Sequence, residues 1–281
     1  MKFKKKIAIG YIRTKFKMMT ALSKRMAAEK AFELFCTPFD RSRGKLPAIF
    51  EQAERLHFSI FGKKVYGYGW NRHQPHKVLI LHGFGSAAYK FHQYISPLID
   101  KGYGVLAFDA PAHGRSEGTS INAIEYCHMI EQVCGLYGPV KGFLAHSFGC
   151  IALSLALEKM PHGPDTKIVF IAPATETSSA VEAAFKMLQI KDEQVKKEFD
   201  NIIYEKGGQK TEWYSIRRAM RKINASVLWF HDEEDDVTPC NDALKVKDEN
   251  FPNIRFVITR GLGHRKIYSD SSIRKQVLAF L

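Results

Sequence analysis

Residues 140–157 read VKGFLAHSFGCIALSLAL, and this stretch decides the fold. Its first half is a short apolar run of strand length. Its second half, from Cys150, is an apolar helical pattern. Ala145-His146-Ser147-Phe148-Gly149 therefore sits at a strand-to-helix turn, as G-x-S-x-G with Ala in the first position. The turn is so tight that the residues two before and two after the serine must be small, and Ala145 and Gly149 are. It lifts the Ser147 hydroxyl clear of the sheet and leaves the Phe148 amide at a helix N-terminus. A stricter match, Gly114-Arg115-Ser116-Glu117-Gly118, lies beyond Pro111 in a Gly- and Ser-containing loop. No strained strand-to-helix turn forms there, so Ser116 reads as a turn residue bordering the site.

Outward from this turn, further short apolar runs occupy 78–83, 103–110, 167–174, 226–232 and 254–259, and stretches of helical length such as 121–137 separate them. Nearly continuous apolar strands alternating with helices imply a mostly parallel central sheet wrapped by helices, an α/β fold. Residues 56–71 alternate around Gly62-Lys63-Lys64 and read as an antiparallel hairpin. Residues 175–225 break the rhythm, being several times longer than a usual connection. Helical patterns at 181–188, 192–204 and 211–222 mark them as an inserted helical cap. The expected organisation is an N-terminal helical extension at 1–55, a core at 56–174 and 226–281, and the cap at 175–225.

Active sites of open α/β sheets lie at the carboxyl ends of the strands. A serine nucleophile needs a base, and the base needs an orienting carboxylate. After 226–231 the chain reads His231-Asp232-Glu233-Glu234-Asp235-Asp236-Val237-Thr238-Pro239; Asp235 is the preferred acid and Asp236 the alternative. After 254–259, Gly261-Leu262-Gly263-His264 presents one imidazole between flexible turns, and His264 is the expected base. Acyl transfer also needs two donors where negative charge develops. The glycine turn His82-Gly83-Phe84-Gly85 offers the amide of Phe84, and the amide of Phe148 is the second. His113, His146, Phe185, Leu188 and Trp213 are the expected pocket residues, with Met187 and Tyr214 near them.

Together, His82-Gly83-Phe84-Gly85, the run Asp109–Ser116, Ala145-His146-Ser147-Phe148-Gly149, Asp235–Pro239 and Gly263-His264 resemble the α/β-hydrolase superfamily over about residues 56–281. That resemblance implies Ser147 as nucleophile, His264 as base and Asp235 as its partner. It implies a structural role for the loop 109–116 and a cap at the insertion. Ala145 departs from the commoner Gly. The first 55 residues fall outside the resemblance.

Composition narrows the rest. The 281 residues are 45% hydrophobic and 25% charged, within the range of globular domains rather than disordered chains. Five cysteines at wide spacing, with no CxxC, argue against a disulfide scaffold or zinc site and point to a reducing cytoplasm. The apolar run after the basic start is too short for a signal peptide, and no run spans a bilayer. Of the net charge of +13, nine Lys and Arg with no acid lie in residues 1–28. Apolar residues there recur at helical spacing. This is an amphipathic helix, either packed on its own domain or resting weakly on an anionic membrane at the inner surface. No nucleic-acid motif accompanies the charge. No metal or organic cofactor is implied, since the glycine turns fit neither dinucleotide nor P-loop patterns.

The expected activity is a serine hydrolase of carboxylic esters or thioesters carrying an apolar acyl or aromatic group. A peptidase or amidase, a cofactor-free haloperoxidase-like enzyme, and a non-catalytic binding protein of the same fold are the alternatives.

Overall fold

The computed structural model describes residues 14, 16 and 18–281. The basic residues Lys2 to Arg13, with Lys15 and Lys17, lie outside the described residues, and so does most of the amphipathic arm expected there. No helix among the described residues is long and apolar enough to cross a membrane.

The chain divides into two compact units, 38–175 with 215–281 and 1–37 with 176–214. The larger unit holds one eight-stranded sheet: β1 Glu54–Ile60, β2 Lys63–Trp70, β3 Lys77–Leu81, β4 Gly104–Phe108, β5 Gly142–His146, β6 Lys167–Ile171, β7 Ser226–Asp232 and β8 Ile254–Thr259. Their order across the sheet is β1-β2-β4-β3-β5-β6-β7-β8. β1 and β2 form the expected hairpin, and β2 runs antiparallel to β4. Phe61 and Gly62 connect the hairpin, both at positive φ, which matches the twist of two paired strands. Every pairing from β4 to β8 is parallel. The carboxyl ends of β3, β5, β7 and β8 therefore share one edge of the sheet.

The strands carry the core. β3, β4 and β5 are buried along their whole length, as strands covered on both faces require. Among the covering helices are α2 His92–Asp100, α3 Ala123–Tyr137, α4 Phe148–Leu157, α7 Ile216–Ala219, α8 Cys240–Asp248, α9 Gly263–Lys266 and α10 Ser271–Phe280. α4 is buried from Gly149 to Leu157, which explains its apolar sequence on every side. α3 opens with a reciprocal capping box between Asn122 and Glu125.

Two boundaries differ from the sequence expectation. The core starts at Pro38 rather than 56. Phe50, fully buried, sets its ring edge-on to Tyr68 and Trp70 at 4.7 and 5.1 Å, and Trp70 donates its indole N–H to Ile49 O. The stretch 211–222 is not one helix. Ser215 caps a new short helix through Arg218 N, so residues 215–225 return to the core.

The smaller unit joins α1 Lys24–Cys36 to α5 Thr177–Leu188 and α6 Glu193–Gly207. Phe199 is its centre, with the rings of Phe32, Phe35 and Phe185 at 5.8, 5.8 and 5.1 Å. Lys24 pairs with Asp192, and Arg25 with Glu198 and Glu205. These pairs are partly exposed and set register more than stability; the aromatic seam supplies the cohesion. The N-terminal helix and the insertion are thus one body rather than two separate additions. Phe199→Ala should lower the stability of this unit by about 3–5 kcal/mol, read as an early transition in chemical denaturation.

Candidate active site

β5 ends at His146, and Ser147 turns the chain into α4 with φ 53° and ψ −117°. A non-glycine residue there stores on the order of 1–3 kcal/mol and needs its surroundings to hold it. Ser147 N donates to Ile171 O at 3.0 Å, and Ala174 N donates to Ser147 O at 3.1 Å. Gly149 lies against β3: a Cβ there would stand 2.9 Å from the carbonyl oxygens of Leu81 and His82. Gly83 is equally constrained, since its Cβ would meet the Ser147 Cβ and His146 Nδ1 at 2.9 Å.

Asp235 and His264 come together across the ends of β7 and β8. His264 Nδ1 donates to Asp235 Oδ2 at 2.8 Å. The Asp235 side chain is fully buried and also accepts from the amides of Val237 and Thr238 and from the Thr238 hydroxyl. Burial pushes the Asp235 carboxyl up, but the His264 hydrogen bond and charge and the two amides outweigh it and hold the group below the usual carboxylate range. Asp236, the alternative acid, points to solvent. Ser147 and His264 are each 7% exposed, and among the described residues no hydrogen bond joins them.

Four buried histidines tie the strand-end loops together. His82 accepts from Ala110 N through Nε2 and donates from Nδ1 to Gly83 O. His113 accepts from Gly85 N through Nε2 and donates to Pro111 O. His146 donates from Nε2 to His264 O, with the two rings 4.8 Å apart. His231 donates to Thr238 O. Burial lowers all four, to about 4 for His82 and about 3 for His113 and His146, with neighbouring imidazoles adding to the effect for the last two.

These bonds correct the expected pocket. His113 and His146 are buried cross-links, not open walls. Phe185 and Leu188 are buried, and the Phe185 ring is committed to the Phe199 seam. Trp213, half-buried, rests edge-on against Tyr214 at 5.2 Å. Ser116 is fully buried, donates to Asp109 O and accepts from Tyr66 N, as a structural turn residue does.

Sequence reading passed over Thr238 and Asp232. The Thr238 hydroxyl lies 2.9 Å from Asp235 Oδ2 and 3.1 Å from His264 Nδ1. Asp232 accepts from Thr259 and from Leu262 N, holding the His264 loop to the acid loop. Both stood in the stretch 231–239, but only the folded loops reveal their partners. The segment Asp40–Gly44 is a strap: Ser42 Oγ donates to Gly85 O, Arg43 Nε to Gly114 O, and Gly114 N to Arg41 O.

The amides of Phe84 and Phe148 find no acceptor among the described residues. Their rings meet edge-on at 5.5 Å, and Phe84 is 38% exposed.

A parallel sheet with a serine elbow after β5 and an Asp–His pair on the loops after β7 and β8 defines an α/β-hydrolase architecture. A model of the alpha/beta hydrolase family matches residues 78–215. The chain is 31% identical over 107 residues to the Bacillus subtilis protein named uncharacterized hydrolase YugF, covering 36% of this chain and 39% of that one. It spans about two fifths of the length of three of the curated relatives it matches. Among solved structures it is similar to the Pyrococcus furiosus esterase Pf2001, at 16% identity and TM-score 0.64, covering 88% of this chain and 97% of that one. It is also similar to the thioesterase domain from the curacin biosynthetic pathway, at 14% identity and TM-score 0.57, covering 80% and 99%. At these identities the structures speak for the fold alone. The chain has the α/β-hydrolase fold, and its residues 78–215 match the alpha/beta hydrolase family.

The buried histidines make stability acid-sensitive. Below an ordinary histidine pKa near 6.5 the unfolded chain binds protons that native His82, His113 and His146 refuse until about pH 4 to 3. Stability should therefore rise with pH across that window, by on the order of 1 kcal/mol per pH unit for each histidine. Denaturant titrations of wild type and His113→Asn between pH 6.5 and 4.5 should show a shallower slope in the variant, whatever its absolute stability.

Proposed function

We propose that this protein is a serine hydrolase that cleaves carboxylic ester or thioester bonds through an acyl-enzyme on Ser147. The observation that carries the reading is the strained Ser147 elbow on the same sheet edge as a buried His264–Asp235 hydrogen bond of 2.8 Å. Ser147 Oγ attacks the acyl carbonyl carbon as its proton passes to His264 Nε2. The contact between them closes when substrate is bound, as catalytic hydrogen bonds commonly do. Asp235, held ionised, orients the imidazole and stabilises the imidazolium. The amides of Phe84 and Phe148 receive the oxyanion. The imidazolium then protonates the leaving alcohol or thiol. Water, deprotonated by His264, attacks the acyl-enzyme and releases the acid.

The exposed Phe84 ring and its partner Phe148 place apolar surface beside the serine, which favours an apolar acyl or aromatic group over a sugar. The likeness to a protein named as an esterase and to one named as a thioesterase domain supports the same bond class.

A fluorophosphonate probe should label Ser147 in the wild type, found by peptide mass spectrometry, and should fail on Ser147→Ala and His264→Ala. Absence of label on the folded wild type would sink the proposal, as would a label on Ser116. On matched nitrophenyl ester, thioester and anilide substrates, the anilide should be slowest. Asp235→Asn should reduce kcat by about 10⁴-fold with little change in KM, whereas Asp236→Asn should leave the rate near that of the wild type.

A further inference from the structure

The strap and the loop after β4 enclose a cavity of about 300 Å³ that Ser147, Asp235 and His264 do not line. Arg43, Arg115, Tyr68 and Tyr89 form its walls, and Asp109 stands among them. Gly44 keeps the strap close, since a Cβ there would sit 2.4 Å from the Tyr89 hydroxyl. We propose that this cavity binds a phosphate group, either inorganic phosphate or the phosphate of a small phosphate monoester.

The charge around it is unbalanced. Arg55 lies over the Tyr68 ring at 4.8 Å, and Arg115 lines the same cavity as Tyr68. Arg43 uses one nitrogen on Gly114 O, which leaves the rest of its guanidinium fork unused by the fold. Arg41 reaches Ser116 O, while its Nε is buried without an acceptor. Among the described residues none of these four arginines forms an ion pair. Asp109, the acid that lines the cavity, is buried and turned to the amides of Ala88 and Arg115. Two guanidiniums, Arg43 and Arg115, line the cavity against one carboxylate whose two oxygens are taken by amides, and Arg41 stands on the same strap. Burial and then repulsion from Arg43 lower the Arg41 pKa, against the attraction of Asp109.

The donor set selects the ligand. Planar guanidinium forks match phosphate oxygens bidentately. Arg43, Arg115 and the hydroxyls of Tyr68 and Tyr89 offer more donors than the two oxygens of a carboxylate take up. The Tyr68 hydroxyl is buried and held neutral, first by desolvation and then by Asp109, so it keeps its proton to donate. The volume is at the lower end of small-molecule sites, enough for a phosphate with a small organic body against the tyrosine rings.

Calorimetric titration of the full chain with sodium phosphate and with phenyl phosphate, at matched ionic strength in chloride, tests this without any hydrolysis readout. At least one should bind saturably below about 10 mM and raise the Tm. Arg43→Gln combined with Arg115→Gln should weaken binding about tenfold or more, and Tyr68→Phe should weaken it several-fold. If the double variant does not fold by circular dichroism, Arg115→Gln alone carries the test, because that side chain is exposed. Equal affinity for the two ligands assigns free phosphate, and tighter phenyl phosphate assigns a monoester. No saturable binding of either, or unchanged affinity in the arginine variants, would overturn the proposal.

Discussion

The left-handed backbone of Ser147 is the constraint from which the site follows. At φ 53° the residue cannot relax into a strand or a helix, so β5 must end and α4 must begin at that point. That junction demands close approach of β3, and Gly83 and Gly149 supply it by having no Cβ to clash with Ser147 or with the carbonyls of Leu81 and His82. The same approach sets Phe84 beside Phe148. A larger residue at 149 would push β3 away and separate the two amides as well as straining the turn. Strain at one residue is thus maintained by the packing of a whole parallel sheet.

Around that turn, loops that would otherwise be mobile are joined by neutral imidazoles. Burial keeps His82, His113 and His146 uncharged, and a neutral imidazole offers both a donor and an acceptor. Each links a strand end to a neighbouring loop: His82 to Ala110, His113 to Gly85, His146 to the backbone of His264. Protonation would remove the acceptor nitrogens of His82 and His113 and bury charge in the sheet edge. His264 differs by facing a carboxylate, so a positive charge on it has a partner. Similar side chains therefore have different partners, backbone for three of them and a carboxylate for His264.

Outside the site, the same economy of partners shapes the chain. The acids of the insertion helix meet the cations of α1, so part of the basic N-terminal segment is neutralised inside its own unit. Among the described residues, the arginines of the strap hydrogen-bond backbone carbonyls and form no ion pair with a carboxylate. This contrast between satisfied and unsatisfied cations separates a structural face from a surface built to receive an anion.

By itself the sequence determined the parallel α/β sheet, the hairpin, the insertion and the order of Ser147, Asp235 and His264, because strand periodicity and turn chemistry are local properties. It also separated Ser147 from Ser116, since only one lies where a strand turns straight into a helix. Tertiary structure decided what locality cannot encode. Asp235 rather than Asp236 meets His264 because a one-residue shift in a loop reverses which carboxylate turns inward. His113 and His146 became cross-links, and Phe185 a core residue, because burial depends on what packs opposite. The strap and the pairing of α1 with the insertion joined residues more than a hundred and fifty positions apart in the case of Arg25 and Glu198. Such contacts arise only when the chain closes on itself, and no periodicity in the sequence announces them.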